Sequence, residues 1–369
     1  MCFMRIKKII ALFFVFFAVF CANAQAKKYI VHTVAFYNLE NFYDTLNDPN
    51  TRDDEWVYTK EFFVNKQNNI AKVLSLLGKS ENPTNSPTII GLAEVENRDV
   101  LEALVKNPQI IEKDYGVVHF ESPDRRGIDC AFLYQKKHFK PTSFVNIPLM
   151  IYETDTKTPD KKDKKEVETE IDDAVEEGAT SKRIYTRDQI LMTGLLDGEE
   201  ISFIVNHWPS RRGGEKISSN LREMAAALNL RIIDSLQKIN PDAKVISMGD
   251  LNDGPFNNSL KKVLKAKGDK KEVKKGGIYN PSEKMFKNGN STLFYRDAGD
   301  IFDQIIMTEP LIQEDRSSFR YWKAGIFNPP FMITTVGQYK GYPKRNNYSL
   351  TAGYSDHFPA FIYLIKEVK

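Results

Sequence analysis

The feature that most constrains this chain is a pattern repeated six times, an apolar and β-branched run with a polar cluster at or near one end. Residues 29–37 run into Asn38-Leu39-Glu40-Asn41, and 88–93 into Glu94-Val95-Glu96-Asn97. Residues 201–205 end in Asn206-His207-Trp208, and 243–248 in Gly249-Asp250-Leu251-Asn252-Asp253. Residues 301–307 carry Asp303 within them, and Ser355-Asp356-His357 stands just before the run 360–364. Runs of this length and composition read as buried strands. Strand ends in a sheet can converge on one rim, where a rigid scaffold holds side chains and loops give access.

The stretches between these runs have other periods. Residues 60–77 place Phe63, Ile70, Val73, Leu74 and Leu77 at spacings of three and four, and Gly78 follows as a stop. Residues 215–236 form a longer helix with Leu221, Ala225, Leu228, Ile232 and Leu236 on one face, and 99–106 a short one. Residues 115–120 and 128–134 read as strands, and 190–196 pairs with 201–205 through a turn at Gly198. Asp129 lies inside an apolar run, where an unpartnered charge carries a desolvation cost, so it is expected to serve a neighbouring group. Residues 154–182 are rich in Lys, Glu, Asp and Thr and read as a solvated, disordered insertion in a surface loop. The aromatic-rich stretch 319–348 reads as packing of a long loop, with a substrate or lipid platform as the alternative.

The first residues have the form of an export signal. Arg5, Lys7 and Lys8 precede the apolar run 9–20, and Ala22-Asn23-Ala24 offers small residues for cleavage before Gln25. The run is too short for a membrane span, so residues 1–24 are expected to be a signal peptide and the mature chain to have no stable span. A secreted or periplasmic location follows. Cys2 and Cys21 leave with the signal, and Cys130, within an apolar run, is expected to be a small buried hydrophobe. Of 52 basic residues, three lie in the signal, which leaves 49 against 49 acidic. The mature chain is formally neutral, so any attraction to phosphate must be local.

The polar clusters supply Asn, Asp, Glu and His. Hard oxygen donors suit Mg²⁺ or Mn²⁺, ions that share sites with phosphate. Zinc-type Cys/His spacing is absent, as are the phosphate-binding loop of nucleoside triphosphatases, the dinucleotide glycine fingerprint and the nucleophile elbow of α/β-hydrolases.

The clusters Asn38-Leu39-Glu40-Asn41, 91–97, 206–211, Gly249-Asp250-Leu251-Asn252 and Ser355-Asp356-His357, in this order, resemble those of the endonuclease/exonuclease/phosphatase superfamily of deoxyribonuclease-I-like enzymes. The resemblance covers the chain from about Tyr29 to Leu364, except the charged insertion, so residues 25–369 are expected to form one such domain. It implies an α/β fold, a four-layer α/β sandwich of two mixed β-sheets packed face to face with helices outside. It also implies that Glu94 is the main ligand of a Mg²⁺ (or Mn²⁺) ion, with Asn38 and Asp356 helping to hold the ion or its waters. By the same resemblance His357, oriented by Asp303, contacts the scissile phosphate. Asp250 positions or deprotonates the attacking water, with Asn252 beside it. His207 hydrogen-bonds phosphate or protonates the leaving oxygen, and Asp129 is its candidate partner. Ala93 departs from the pattern, since many relatives carry Gln before this Glu.

The chemistry agrees with that cast. Phosphodiester cleavage needs an aligned water, neutralisation of charge on the phosphoryl oxygens and help for the leaving oxygen. Arg125, Arg126, Arg211 and Arg212 lie in loops next to these segments and are candidates to grip phosphates. The leading expectation is a secreted, metal-dependent endonuclease, monomeric, with nucleic acid as substrate. The alternative is a phospholipid (sphingomyelinase-like) or inositol or sugar phosphate hydrolase on the same fold. A non-catalytic binding protein is disfavoured by the intact polar set.

Overall fold

The computed structural model describes residues 27–56, 58–83, 85–152, 182–211 and 214–368. The expected signal peptide, the insertion 154–182 apart from Lys182, and the candidate phosphate contact Arg212 lie outside the described residues.

Twelve strands build two sheets. In chain order they are β1 (Lys28–Phe42), β2 (Ile89–Val95), β3 (Tyr115–His119), β4 (Asp129–Gln135), β5 (Phe139–Ile147) and β6 (Gln189–Leu196). Then follow β7 (Glu199–His207), β8 (Val245–Asp250), β9 (Ile278–Tyr279), β10 (Asp303–Thr308), β11 (Arg320–Ile326) and β12 (Ala360–Val368). The first sheet has the order β11-β12-β1-β2-β4-β3 and the second β9-β10-β8-β7-β6-β5. Each has one parallel pair near its centre, β1 with β2 and β7 with β8, and antiparallel neighbours elsewhere.

Alternation along the strands explains the layers. On β1, Val34 and Phe36 face the second sheet and join a core with Phe132, Phe203, Met248, Ile305 and Ile362. The alternate residues Ala35 and Tyr37 face outward and pack with Ile90, Leu92, Val73, Leu74 and Leu101. The last three come from α1 (Lys60–Leu76) and α2 (Arg98–Val105), which cover that face. On the second sheet, Ile204, Val245 and Ile306 pack outward against Ala225, Leu228 and Ile232 of α3 (Glu215–Ile239). Because both faces are covered, these central strands are almost wholly apolar. The arrangement is the expected four-layer sandwich. No helix among the described residues is long and apolar enough to cross a membrane.

Two edge strands differ from the reading by composition. β5 carries Lys140, Pro141, Thr142 and Ser143 and is largely exposed, so its apolar pattern is faint; Pro is tolerated there because the strand is at the edge. β11 begins the aromatic stretch that was expected to be loop. Within that stretch Phe327 and Phe331 pack against the outer face of the first sheet, whereas Tyr339 and Tyr348 stay exposed.

Candidate active site

Strand register brings the polar clusters to one end of the two sheets. In the second sheet Asp250 lies in register with His207 on one side and Asp303 on the other. In the first, Asn38 is in register with Ala93, the residue before Glu94. Ser355 Oγ donates to the Asn38 carbonyl (2.7 Å) and accepts from the His357 amide (3.0 Å), which holds the turn before β12 against β1.

The backbone at these ends is unusual. Glu40, Asn41, Glu94 and Asn252 have φ of 54°, 52°, 59° and 48°. Left-handed conformations cost non-glycine residues on the order of 1 kcal/mol or more, and they gather where surrounding structure demands a particular aim. Here they turn the chain so that side chains from both sheets meet. Asn38 Nδ2 donates to Glu94 Oε1 (3.3 Å) and to Asp250 Oδ2 (3.1 Å). The Asn41 amide donates to Glu94 Oε2 (2.9 Å), and the Asn252 amide to Asp250 Oδ1 (2.9 Å).

The two histidines have opposite charge states. His357 Nδ1 is 2.7 Å from Asp303 Oδ2, and its Nε2 is 3.9 Å from both Asp250 Oδ2 and Asp356 Oδ1. Burial opposes its charge, but Asp303, Asp250 and Asp356 prevail and hold its pKa well above the usual histidine value. His357 is therefore an imidazolium at neutral pH. His207 Nε2 is 3.7 Å from Asp250 Oδ2, and its buried Nδ1 has no hydrogen-bond partner. Burial, with Arg187, Arg126 and His357 nearby, pushes its pKa well below the usual value, so it is neutral. A neutral imidazole can donate a hydrogen bond to phosphate, but it is a poor acid for a leaving oxygen, which favours the first of the two roles expected for His207. Burial, reinforced by Asp303 and Glu94 and opposed by His357 and the Asn252 amide, raises Asp250 to about 6. It remains largely ionised at neutral pH yet has basicity suited to accepting a proton.

Several expected assignments change. Asp129 is not the partner of His207. Its Oδ2 pairs with His119 Nε2 at 3.1 Å and its Oδ1 accepts the Ser122 amide at 2.8 Å. It does serve neighbouring groups, as the cost of burying its charge requires. Arg211 is spent on the protein: Nε donates to the Asn252 carbonyl and Nη2 to Asn257, with Asp253, Glu215 and Asp300 within 3.7 Å and the guanidinium over the Phe302 ring. It clamps the loop after β8, so its guanidinium is engaged by the protein rather than left open for a phosphate. Arg125 lies beside the Tyr185 ring. Arg126, paired loosely with Asp124 at 3.5 Å, is the one of the described three whose charge is coupled to Glu94 and His207. Asn252 sits beside Asp250 as expected, with its Nδ2 held by the Trp208 carbonyl at 2.9 Å.

Sequence reasoning missed three supports. Arg187 is buried, bonds Asp124 and the Trp208 carbonyl, and helps keep His207 neutral. Asn41 acts through its backbone amide, which no side-chain pattern reveals. Lys66, fully buried, donates to Asn346 Oδ1 and the Tyr354 carbonyl and lies 3.9 Å from Glu40 Oε2. Its place on the buried side of an amphipathic helix was the available signal.

The residues present suit a hard divalent cation. Glu94, Asp250 and Asp356 are carboxylates at one rim with the Asn38 amide between two of them. Burial raises the Asp250 pKa most, with Asp303 and then Glu94 adding to it, and a cation beside these carboxylates would oppose that shift.

The sequence profile of the endonuclease/exonuclease/phosphatase family matches residues 33–177 and 168–366. The chain belongs to this family, whose members hydrolyse phosphoesters and typically depend on a divalent metal. Among solved structures, it is similar to an endonuclease/exonuclease/phosphatase family protein from Bacteroides thetaiotaomicron, at 16% identity over 93% of this chain and 98% of that one, with a TM-score of 0.51. It is also similar to a truncated TDP2 from Caenorhabditis elegans, at 15% identity over 91% and 97%, with a TM-score of 0.51. A mannosyl-6-phosphatase from Bacteroides thetaiotaomicron gives 17% identity over 90% and 99%, with a TM-score of 0.50. These similarities establish the shared fold. No curated protein sequence matches the chain.

Proposed function

We propose that the chain is a Mg²⁺- (or Mn²⁺-) dependent phosphodiester hydrolase that acts as an endonuclease on nucleic acid. The observation that carries this reading is geometric: His357 is paired with Asp303 at 2.7 Å and lies 3.9 Å from Asp250, which has His207 3.7 Å away on its other side and Asn38 joining it to Glu94. Glu94, assisted by Asn38 and Asp356, would hold the ion, which when bound supplies Lewis-acid neutralisation of phosphoryl charge.

The remaining work falls to this chain's own groups. Asp250, steadied by Asn38 and the Asn252 amide, accepts the proton of the attacking water. His357, its charge sustained by Asp303, donates from Nε2 to the phosphoryl group, and the leaving oxygen takes a proton from solvent as its bond to phosphorus breaks. Neutral His207 donates a hydrogen bond to a phosphoryl oxygen, which fixes the phosphate without adding charge. Arg126 supplies cationic attraction near Glu94. Export, periplasmic or extracellular, belongs to the same proposal and rests on residues 1–24.

One observation favours a second reading. With Arg211 committed to the protein and Arg125 against Tyr185, the expected grip on an extended phosphate backbone is thinner. A small phosphoester, such as a sugar phosphate or a phospholipid headgroup, needs only one cationic contact. The test is plasmid nicking by the mature protein with Mg²⁺, with and without chelator, beside Glu94→Ala. Metal-dependent nicking that the substitution abolishes supports the endonuclease. Release of phosphate or phosphocholine from small substrates without nicking supports the second reading. Cleavage that survives chelator and Glu94→Ala overturns both.

A further inference from the structure

Two groups of histidine and carboxylate side chains lie close enough among the described residues to share an ion, and both are outside the candidate active site. The group His119, Glu121 and Asp129 is the weaker. Glu121 is mostly exposed, and one Asp129 oxygen is already occupied by the Ser122 amide. The group His32, His138 and Asp197 is built differently.

His32 is on β1, six residues before Asn38, which places it about 20 Å from the active-site end of the strand. It shares the inward face of β1 with Val34 and Phe36 and is buried. His138 lies in the turn between β4 and β5, where the chain passes from the first sheet to the second. Asp197 is in the hairpin turn between β6 and β7, at φ 44° and next to Gly198. Three segments from both sheets therefore converge at the pole opposite the active site.

The contacts are those of a ligand set. Asp197 Oδ2 is 2.7 Å from His32 Nε2, and Asp197 Oδ1 is 3.1 Å from His138 Nδ1. The three ligand atoms all lie within 4.8 Å of one another. An ion bound at the usual zinc distances needs tetrahedral edges of about 3.3 Å, so the two contacts to Asp197, at 2.7 and 3.1 Å, open by only a few tenths of an ångström to admit it. His32 Nδ1 is 2.8 Å from Thr88 Oγ1. If Nδ1 donates there, Nε2 is left with its lone pair toward the cluster, which is the outer support that metal-ligating imidazoles use. His138 and Asp197 are 23% and 29% exposed, so solvent can reach a fourth position.

We propose that His32, His138 and Asp197 form a site for a borderline divalent transition ion, Zn²⁺ by preference, completed by water. Two imidazole nitrogens and one carboxylate oxygen suit Zn²⁺ and disfavour Mg²⁺, which separates this site from the catalytic one. Because the ligands span both sheets, the ion cross-links the sandwich at its far end, and its role is structural.

The test is calorimetric titration of chelator-treated mature protein with ZnCl₂, in parallel with His138→Ala, Asp197→Asn and Thr88→Val. One Zn²⁺ per chain is expected at this site. Affinity should fall more than about 100-fold in the two ligand variants, and about 10–100-fold in Thr88→Val, the loss typical of an outer support. Saturation at about one hundred times Kd should raise the thermal midpoint of the unaltered chain by about 4 °C and that of His138→Ala by none. Mg²⁺-dependent phosphoesterase activity of His138→Ala should stay unchanged. Co²⁺ added to the unaltered protein gives a second readout that needs no variant, since a four-coordinate site shows intense visible bands and an octahedral one weak bands. Failure to bind Zn²⁺, binding that persists in both ligand variants, or octahedral Co²⁺ alone would overturn the proposal and leave the trio as a hydrogen-bonded clamp.

Discussion

Replacing Asp303 with Asn isolates the contribution of one charge. Asn keeps the shape and leaves the β8–β10 register intact, but removes the anion 2.7 Å from His357 Nδ1. Asp303 is fully buried and the His357 side chain is only 10% exposed, so solvent compensates little. Breaking a buried pair of this kind costs about 3–5 kcal/mol. That cost need not unfold the chain, because His357 can give up its proton. The remaining neutral imidazole no longer serves as acid or charged donor. General acid–base help is worth about 10²–10⁴-fold, so the rate is expected to fall by about 10²–10³-fold, with KM changed little.

The pH dependence supplies the diagnostic sign. In the unaltered chain, activity should decline at acid pH as Asp250 takes a proton near about 6, and at alkaline pH as His357 loses one well above its ordinary value. With Asp303→Asn the alkaline limb should move to lower pH. Stability follows the same linkage. A histidine whose folded pKa lies above the unfolded value of about 6.5 stabilises fully below that pH, and the contribution disappears as pH rises through the folded value. The variant should lack that window. The assay is steady-state hydrolysis of bis(p-nitrophenyl) phosphate with Mg²⁺ from about pH 5 upward until the alkaline limb is reached, beside urea unfolding at two pH values. A folded variant with a rate within about threefold of the original, or with an unmoved alkaline limb, would refute the reasoning, since the expected loss is at least about 10²-fold.

Lys66→Met leaves Glu40 buried without its ammonium, and unfolding free energy by urea titration should fall by about 3 kcal/mol, as for other broken buried pairs. Activity should fall with it, because Glu40 and Asn346 brace the turn whose Asn41 amide holds Glu94. Arg126→Ala should raise KM for a phosphodiester with little change in urea midpoint. Arg211→Ala should lower the midpoint, since its contacts are to the protein, and the reverse pattern in the two variants would contradict the separation drawn here. Cys130, fully buried with its thiol pushed up by that burial, should resist thiol reagents until the chain is unfolded, as followed by dye labelling across a urea titration.

Much of the fold was legible because burial leaves a period in the sequence. β1, β2, β7 and β8 are covered on both faces, so they read as apolar runs, and α1 and α3 show the spacing of a half-buried helix. The edge strand β5 was not legible, since its exposed face carries little apolar signal, and β11 was read as loop because its aromatics continue without a break into the aromatic-rich stretch after it. Of the site, the amino acids able to do the chemistry could be named from strand-end position and from resemblance, and the Asp303–His357 pair is present as expected.

What the sequence could not determine was partnership. Asp129 lies in an apolar run and had to pair with something, yet whether with His119 or His207 depended on which strand ends adjoin. Arg211 has the same local appearance as Arg126, but one is folded into a clamp and the other is coupled to Glu94. His32, His138 and Asp197 have no motif at all, since 165 residues separate the first from the last. By itself the sequence determined which segments must be buried and which chemical groups stand at their ends, because burial and chemistry are properties of each residue type. The tertiary structure decided which groups meet and which charges they keep, because distance, register and desolvation exist only once the two sheets have packed.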